Sequence, residues 1–184
     1  MYNPKYHDRQ SMRLKGYNYG DRGDYFITIV TEDRRKLFGE IKEGRMLLNT
    51  IGLIVLEEWD KTARLREHIE LDEFVIMPDH FHAIVRINYS LSDQEPGEFE
   101  SPSKNLGSLV RGFKGSVMRR LKFINAIELS NNTDLNEDFR CLDLNRSIWQ
   151  RNYHDRIIRD RTQLMNTRRY IRENPRRWKE KGEK

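Results

Sequence analysis

Ile69-Glu-Leu-Asp-Glu-Phe-Val-Ile-Met-Pro-Asp-His-Phe-His-Ala-Ile-Val-Arg-Ile87 decides the fold. Two apolar, β-branched runs flank the break Pro78-Asp79, which is the pattern of two strands joined by a tight turn. The first strand is expected over 69–77 and the second over 80–87. Outward from this hairpin, residues 24–31 (Tyr-Phe-Ile-Thr-Ile-Val-Thr after Asp24) are almost continuously apolar and predict a central strand covered on both faces. A short strand is expected over 37–41, with Gly44 in a turn. Helical spacing runs from Asn49 through Ile51, Ile54, Val55 and Trp59, and again through Leu106, Leu109, Val110, Phe113, Val117 and Leu121. A further short strand is expected over 147–153. Asp160 and Gln163 resemble a capping box, which opens a helix that should stop at Pro175. Hairpin-linked strands with interspersed helices predict an α+β fold with an antiparallel sheet.

The chain has 184 residues, of which 36% are hydrophobic and 34% charged, and its mean hydropathy is −0.88. One domain over 1–184 is expected. No apolar run approaches the ~18 residues of a membrane-spanning helix, and Met1 to Tyr19 contains no apolar signal core. Cys141 is the only cysteine, so a disulfide scaffold and a cysteine-based zinc site are excluded, and a cytoplasmic setting is expected. Residues 1–20 carry four Lys/Arg against one acid, and residues 143–184 thirteen against six. The intervening body has 17 bases and 22 acids. Basic ends on an acidic body suggest a polyanionic partner, or simply a solvated surface. Residues 1–23 read as a basic arm, and residues 88–103 and 130–147 as polar loops.

His80-Phe-His82 is the sharpest chemical feature. Residues i and i+2 of a strand share a face, so both imidazoles project together from Cα atoms about 6–7 Å apart. Phe81 then points the other way, into the core. Such a pair can begin a divalent-cation site or be two idle strand histidines; a metal needs a third ligand. Tyr170 and Asn174, four apart on a helix, share a face. Asn174 offers a carbonyl oxygen suited to Mg²⁺ or Mn²⁺. Alternatively, Tyr170 packs in the core and Asn174 ends the helix before Pro175.

Met77-Pro-Asp-His-Phe-His82 together with Tyr170-Ile-Arg-Glu-Asn-Pro175 resembles the HUH single-strand DNA transposases of the tyrosine, IS200-like type, above all the REP-associated branch. Arg13-Leu-Lys-Gly-Tyr17, Tyr25-Phe-Ile-Thr-Ile29, Leu71-Asp-Glu-Phe74, Gly107-Ser-Leu-Val-Arg-Gly-Phe-Lys114 and Trp149-Gln-Arg-Asn-Tyr-His-Asp155 extend the resemblance over most of the chain. It implies a ferredoxin-like sheet with the histidine pair on a central strand. It also implies His80, His82 and Asn174 as metal ligands and Tyr170 as nucleophile. The reaction implied is cleavage and rejoining of single-stranded DNA through a 5′-phosphotyrosine, beside a hairpin. A phenol, with a pKa near 10, sits about three units from its phenolate at pH 7, a cost of roughly 4 kcal/mol.

Arg9, Arg13, Lys15, Arg111, Lys114, Arg168, Arg169, Arg172, Arg176 and Arg177 are candidate phosphate contacts, and His154 is a spare candidate for general base. A bacterial, nucleoid-associated monomer or homodimer fits this reading. A hairpin-binding protein that no longer cuts, and an unrelated metal hydrolase, are the competing classes. The phenol beside the ligands speaks against both.

Overall fold

A computed structural model describes residues 22–88, 105–130, 137–140 and 142–178. The elements are β1 (Gly23–Val30), β2 (Gly39–Lys42), β3 (Arg45–Leu48), α1 (Thr50–Arg64), β4 (Ile69–Met77), β5 (His80–Ile87), α2 (Leu106–Ser130), α3 (Glu137–Arg140), β6 (His154–Ile158) and α4 (Arg161–Arg177). Four strands form one antiparallel sheet in the order β4-β5-β1-β6. With α1 between β1 and β4 and α2 between β5 and β6, the chain follows the ferredoxin-like βαββαβ course, and the fold is α+β. The β2–β3 hairpin is inserted ahead of α1.

Alternation along the strands builds two faces. Tyr25, Ile27 and Ile29 of β1 and Phe81, Ala83, Val85 and Ile87 of β5 are fully buried in the principal core under α1 and α2. Trp59 of α1 packs edge-on to Phe81 at 4.7 Å and to Phe113 of α2 at 5.1 Å. The other face carries Phe26, Val75, Ile84 and Ile158, and α4 lies on it through Leu164 and Ile171.

The α1 N-terminus is capped twice. Asn49 Oδ1 accepts from the Gly52 N–H at 2.9 Å, and Asp138 Oδ2 accepts from the Thr50 N–H at 2.9 Å. A Cβ on Gly52 would stand 2.2 Å from the Phe38 carbonyl oxygen, so only glycine lets the helix approach this closely.

Several expectations need correction. Residues 37–41 split: Leu37 and Phe38 are core side chains, and the strand begins at Gly39, whose φ of +131° starts the turn out of the core. Its partner β3 had no clear sequence signal. The 130–147 stretch is not a polar loop throughout, because Phe139 of α3 is buried in the core and Asp138 caps α1. Residues 147–153 form only an isolated bridge, Thr31 to Trp149. Ile148 and Trp149 are both buried, which breaks the alternation of a strand. Lys114 Nζ also donates to the carbonyls of Gln150 (2.8 Å) and Asn152 (3.1 Å). The fourth strand is instead β6, which begins at His154, directly after the expected stretch. Asp160 caps α4 as expected, accepting from the Gln163 N–H at 2.8 Å. The helix does not stop at Pro175, however; it runs to Arg177. A proline in the last turn forfeits one backbone bond there, which α4's sheet contacts outweigh. The arm expected over 1–23 gives way to β1 at Gly23, and its residues 1–21, residues 89–103 of the loop expected over 88–103, and residues 131–136 and 141 of the loop expected over 130–147 lie outside the described residues.

Phe81→Ala should leave a cavity among Trp59, Phe74 and Phe113 and lower stability by about 3–5 kcal/mol. Urea denaturation followed by tryptophan fluorescence measures this; a loss under 1 kcal/mol would contradict the packing.

Candidate active site

The histidine pair is built by the β5 alternation. With Phe81 locked in the core, His80 and His82 face the α4 side, their rings 4.6 Å apart. Each ring is oriented through Nδ1. His82 Nδ1 shares a 2.8 Å hydrogen bond with Thr28 Oγ1, its cross-strand partner on β1. His80 Nδ1 pairs with Asp79 Oδ1 at 2.5 Å. Asp79 sits in the two-residue β4–β5 turn, whose register closes Met77 on His80. Neither Pro78 nor Asp79 has the positive φ of the primed turns that suit two-residue hairpins. The turn is held from outside. Thr31 donates N–H and Oγ1–H to the Asp79 carbonyl, and Leu37 N–H donates to the Pro78 carbonyl at 2.8 Å. Burial would raise the Asp79 carboxyl, but the hydrogen bond from His80 and the nearby Arg34 hold it below the usual carboxylate range.

The tyrosine comes from α4. Tyr170 Oη lies 3.3 Å from His82 Nε2 within the same chain. Its ring stands edge-on to Phe26 at 6.0 Å, and Phe26 in turn stacks on His82 at 5.1 Å. Phe26 is therefore the floor of the site, and Arg156 covers that ring at 5.6 Å. Tyr170 is 41% exposed. One turn on, Asn174 is 9% exposed, and its amide makes no hydrogen bond among the described residues. Trp178, just past the helix, flanks His80 at 5.8 Å. His154 of β6 lies in the same cross-strand row as Thr28 and His82, on the same face and exposed.

Two imidazoles whose Nδ1 atoms are taken leave both Nε2 atoms as donors, the outer-shell arrangement that metal-bound histidines use. Asn174 on the facing helix, 9% exposed, offers its amide oxygen as the further donor. That set fits a divalent cation. No cluster of three His, Cys, Asp or Glu residues exists among the described residues, so a site here depends on the amide. Burial and the neighbouring His80 ring push the His82 imidazole down from 6.5 to about 3, which keeps it neutral and able to ligate.

The basic candidates divide by their partners. Arg168 is paired bidentately with Asp72, Nε to Oδ1 at 2.9 Å and Nη2 to Oδ2 at 2.6 Å. Arg172 pairs with Glu73 at 3.1 Å, and Arg177 with Glu173 of its own helix. Lys114 is spent on the 150–152 carbonyls, and burial pushes its ammonium down to about 8. Arg111, Arg169 and Arg176 are exposed and form no ion pair among the described residues. Arg9, Arg13 and Lys15 lie outside the described residues. Phe26, Thr28, Asp79 and Asp72 stand inside the quoted motifs, but the sequence reading gave them no role. Thr28 and Phe26 become site residues only once the β1–β5 register is known.

A protein of Haemophilus influenzae, described as uncharacterized, is 33% identical over 192 aligned positions, which cover 97% of this chain and 94% of the relative. The chain belongs to the family of that protein. No family model matches the chain. Among solved structures, a REP-associated tyrosine transposase bound to a REP hairpin aligns over 89% of this chain and 72% of its own, with a TM-score of 0.56 and 18% identity. The two share a fold. No described helix is long and apolar enough to cross a membrane.

The depressed His82 pKa has a consequence for stability. Between pH 6.5 and 3 the unfolded chain binds a proton that the folded chain refuses, so stability falls as pH drops. Going from pH 6.5 to 5 should cost up to about 2 kcal/mol at this residue. Urea midpoints of wild type and His82→Gln at the two pH values measure it. Parallel losses in the two proteins would show that His82 is not responsible.

Proposed function

We propose that this chain is a metal-dependent transposase-type enzyme that cuts and rejoins single-stranded DNA beside a hairpin through Tyr170. One observation carries the reading: a half-exposed phenol on α4 stands 3.3 Å from the second of two paired strand histidines. A protein that only bound DNA would gain nothing from a phenol held there. The shared fold with a hairpin-bound tyrosine transposase and the Met77–His82 and Tyr170–Pro175 motifs support it.

In this reading His80 and His82, with Asn174 from α4, hold one Mg²⁺ or Mn²⁺ ion. The bound ion would supply positive charge to the phosphate oxygens as negative charge grows there. Tyr170 Oη attacks the phosphorus, the bond to the 3′ oxygen breaks, and a 5′-phosphotyrosine forms. The phenolic proton is given up and the departing 3′ oxygen takes one. The free 3′-hydroxyl can later attack the same phosphorus and release the tyrosine, so rejoining needs no external energy source. Thr28 and Asp79 keep the two rings turned toward the phosphate. Phe26 keeps the phenol from swinging down onto the sheet. The whole chain serves as one transposase domain, working on the DNA of a bacterial nucleoid.

Phosphate binding falls to the uncommitted cations, Arg111, Arg169 and Arg176, together with the arm residues Arg9, Arg13 and Lys15. Arg168 and Arg172 are committed to β4. Arg169→Gln and Arg176→Gln should each lower the salt slope of hairpin binding by about one. Fluorescence anisotropy over a salt series gives that slope, and unchanged slopes would remove both residues from the interface.

Incubation with single-stranded hairpin DNA and Mn²⁺, followed by a denaturing gel, tests the chemistry. A covalent protein–DNA adduct is expected, abolished by Tyr170→Phe or by EDTA. His80→Ala with His82→Ala should abolish it while sparing hairpin binding. An adduct that survives Tyr170→Phe sinks the assignment. Tight binding with no adduct under any tested metal points instead to a non-cleaving hairpin-binding protein.

A further inference from the structure

β4 carries one residue more than β5 can pair. Leu71 stands opposite Val85 and Phe74 opposite Ala83, so Asp72 and Glu73 together face Ile84. Strict alternation would turn Glu73 into the core and Phe74 out of it. The bulge restores Phe74 to the core, 6.0 Å from Phe81, and delivers both carboxylates to the α4 face. The Asp72 carboxylate accepts its neighbour's N–H at 2.7 Å, which fixes its direction.

Both carboxylates are answered by α4. Arg168 and Arg172 are one turn apart and share the helix flank that looks at β4. Asp72 grips Arg168 with both oxygens, its side chain only 12% exposed. At 100° per residue, Tyr170 lies 200° on from Arg168 and 200° before Arg172, about 160° from each in projection and so on the opposite flank, where His82 and Phe26 stand. The arginines hold one side of the helix and the tyrosine projects from the other. The apolar contacts beneath, Ile171 with Ile84 and Ile158, hold the helix on the sheet, and the ion pairs with β4 add a directional tie on one flank. The phenolic oxygen reaches about 8–9 Å from the helix axis, given a Cα radius of about 2.3 Å. A roll of 10° therefore carries it about 1.5 Å.

We propose that Asp72, presented by the β4 bulge, is a positioning residue that sets the rotation of α4 through Arg168 and so places Tyr170 Oη at the histidine pair. Glu73 and Arg172 form the outer, more exposed half of the same clamp. The proposal rests on the reading of Tyr170 as nucleophile for its catalytic consequence, but its geometric content stands alone. Misplacement of a reacting atom by about 1 Å can cost on the order of 10²-fold in rate. Arg168 then belongs to the protein's own geometry and not to the DNA interface.

The test uses the full chain. Proton NMR cross-peaks between the Tyr170 ring and the His82 imidazole report the placement without DNA or metal. The rate of adduct formation at saturating hairpin DNA with Mn²⁺ reports its consequence, and the hairpin Kd reports binding. Asp72→Asn and Arg168→Gln should each lose the cross-peaks and slow the adduct about 10²-fold, with Kd changed less than threefold. The double variant should be no slower than the slower single, and Asp72→Glu should recover part of the rate. Arg168→Gln, on a partly exposed helix flank, serves if Asp72→Asn does not fold. Cross-peaks retained in Arg168→Gln, or a rate within threefold of wild type, would overturn the proposal. A wild-type protein that forms no adduct would refute the transposase reading, and the clamp would still be decided by the cross-peaks.

Discussion

The immobility of Phe81 is the constraint on which the site depends. Its ring is fully buried among Trp59, Phe74 and Phe113, and a strand offers its residues only two directions. With Phe81 committed to the core, His80 and His82 have no freedom except to face the opposite side together. The stability of the principal core is thereby turned into positional accuracy for two imidazoles that lie outside it. The same logic extends sideways through the ladder. β1, paired with β5 in fixed register, brings Thr28 to His82 and Phe26 beneath the phenol, and the β4–β5 turn brings Asp79 to His80. One face of the sheet is thus a support and the other a work surface.

α4 is attached differently. Its contact with the sheet is a small apolar patch around Ile171, reinforced by ion pairs along one edge and by the Arg156–Thr167 hydrogen bond at 3.1 Å. Burial would raise the Asp72 carboxyl, but Arg168 and the Glu73 N–H hold it below the carboxylate range. The charged form is the one that α4 requires. The sheet half of the site is rigid by packing, whereas the helix half is set by electrostatics.

Much of this was legible in the sequence, because the strongest signals were periodic or punctuated. The 69–87 hairpin, the α1 and α2 core stripes, the Asp160 cap and the His-Phe-His alternation each follow from local rules. The failures share a cause: tertiary context. Ile148 and Trp149 look like strand residues, yet they plug the core side by side, and the neighbouring carbonyls are taken by Lys114 from α2. Pro175 reads as a stop because local chemistry knows nothing of the sheet beneath the helix. Phe139 is one aromatic in a polar stretch, and its importance appears only against α1. At the site, His80, His82 and Tyr170 were visible as residue types at meaningful spacing. Thr28, Phe26 and Asp72 were not, since each matters through a register or a bulge that joins distant segments. Charge counting was misleading for Arg168 and Arg172, whose partners in β4 lie some 100 positions earlier.

The separation between His82 and Tyr170, 88 residues along the chain, bears on the order in which the protein is made. The histidine pair sits on a local hairpin that can close early, whereas the phenol arrives only after β6 has joined β1 and α4 has docked. A chain still emerging from the ribosome therefore holds one half of the site without the other. The pairing of phenol and imidazoles is a property of the finished fold, so no incomplete copy of the protein holds it.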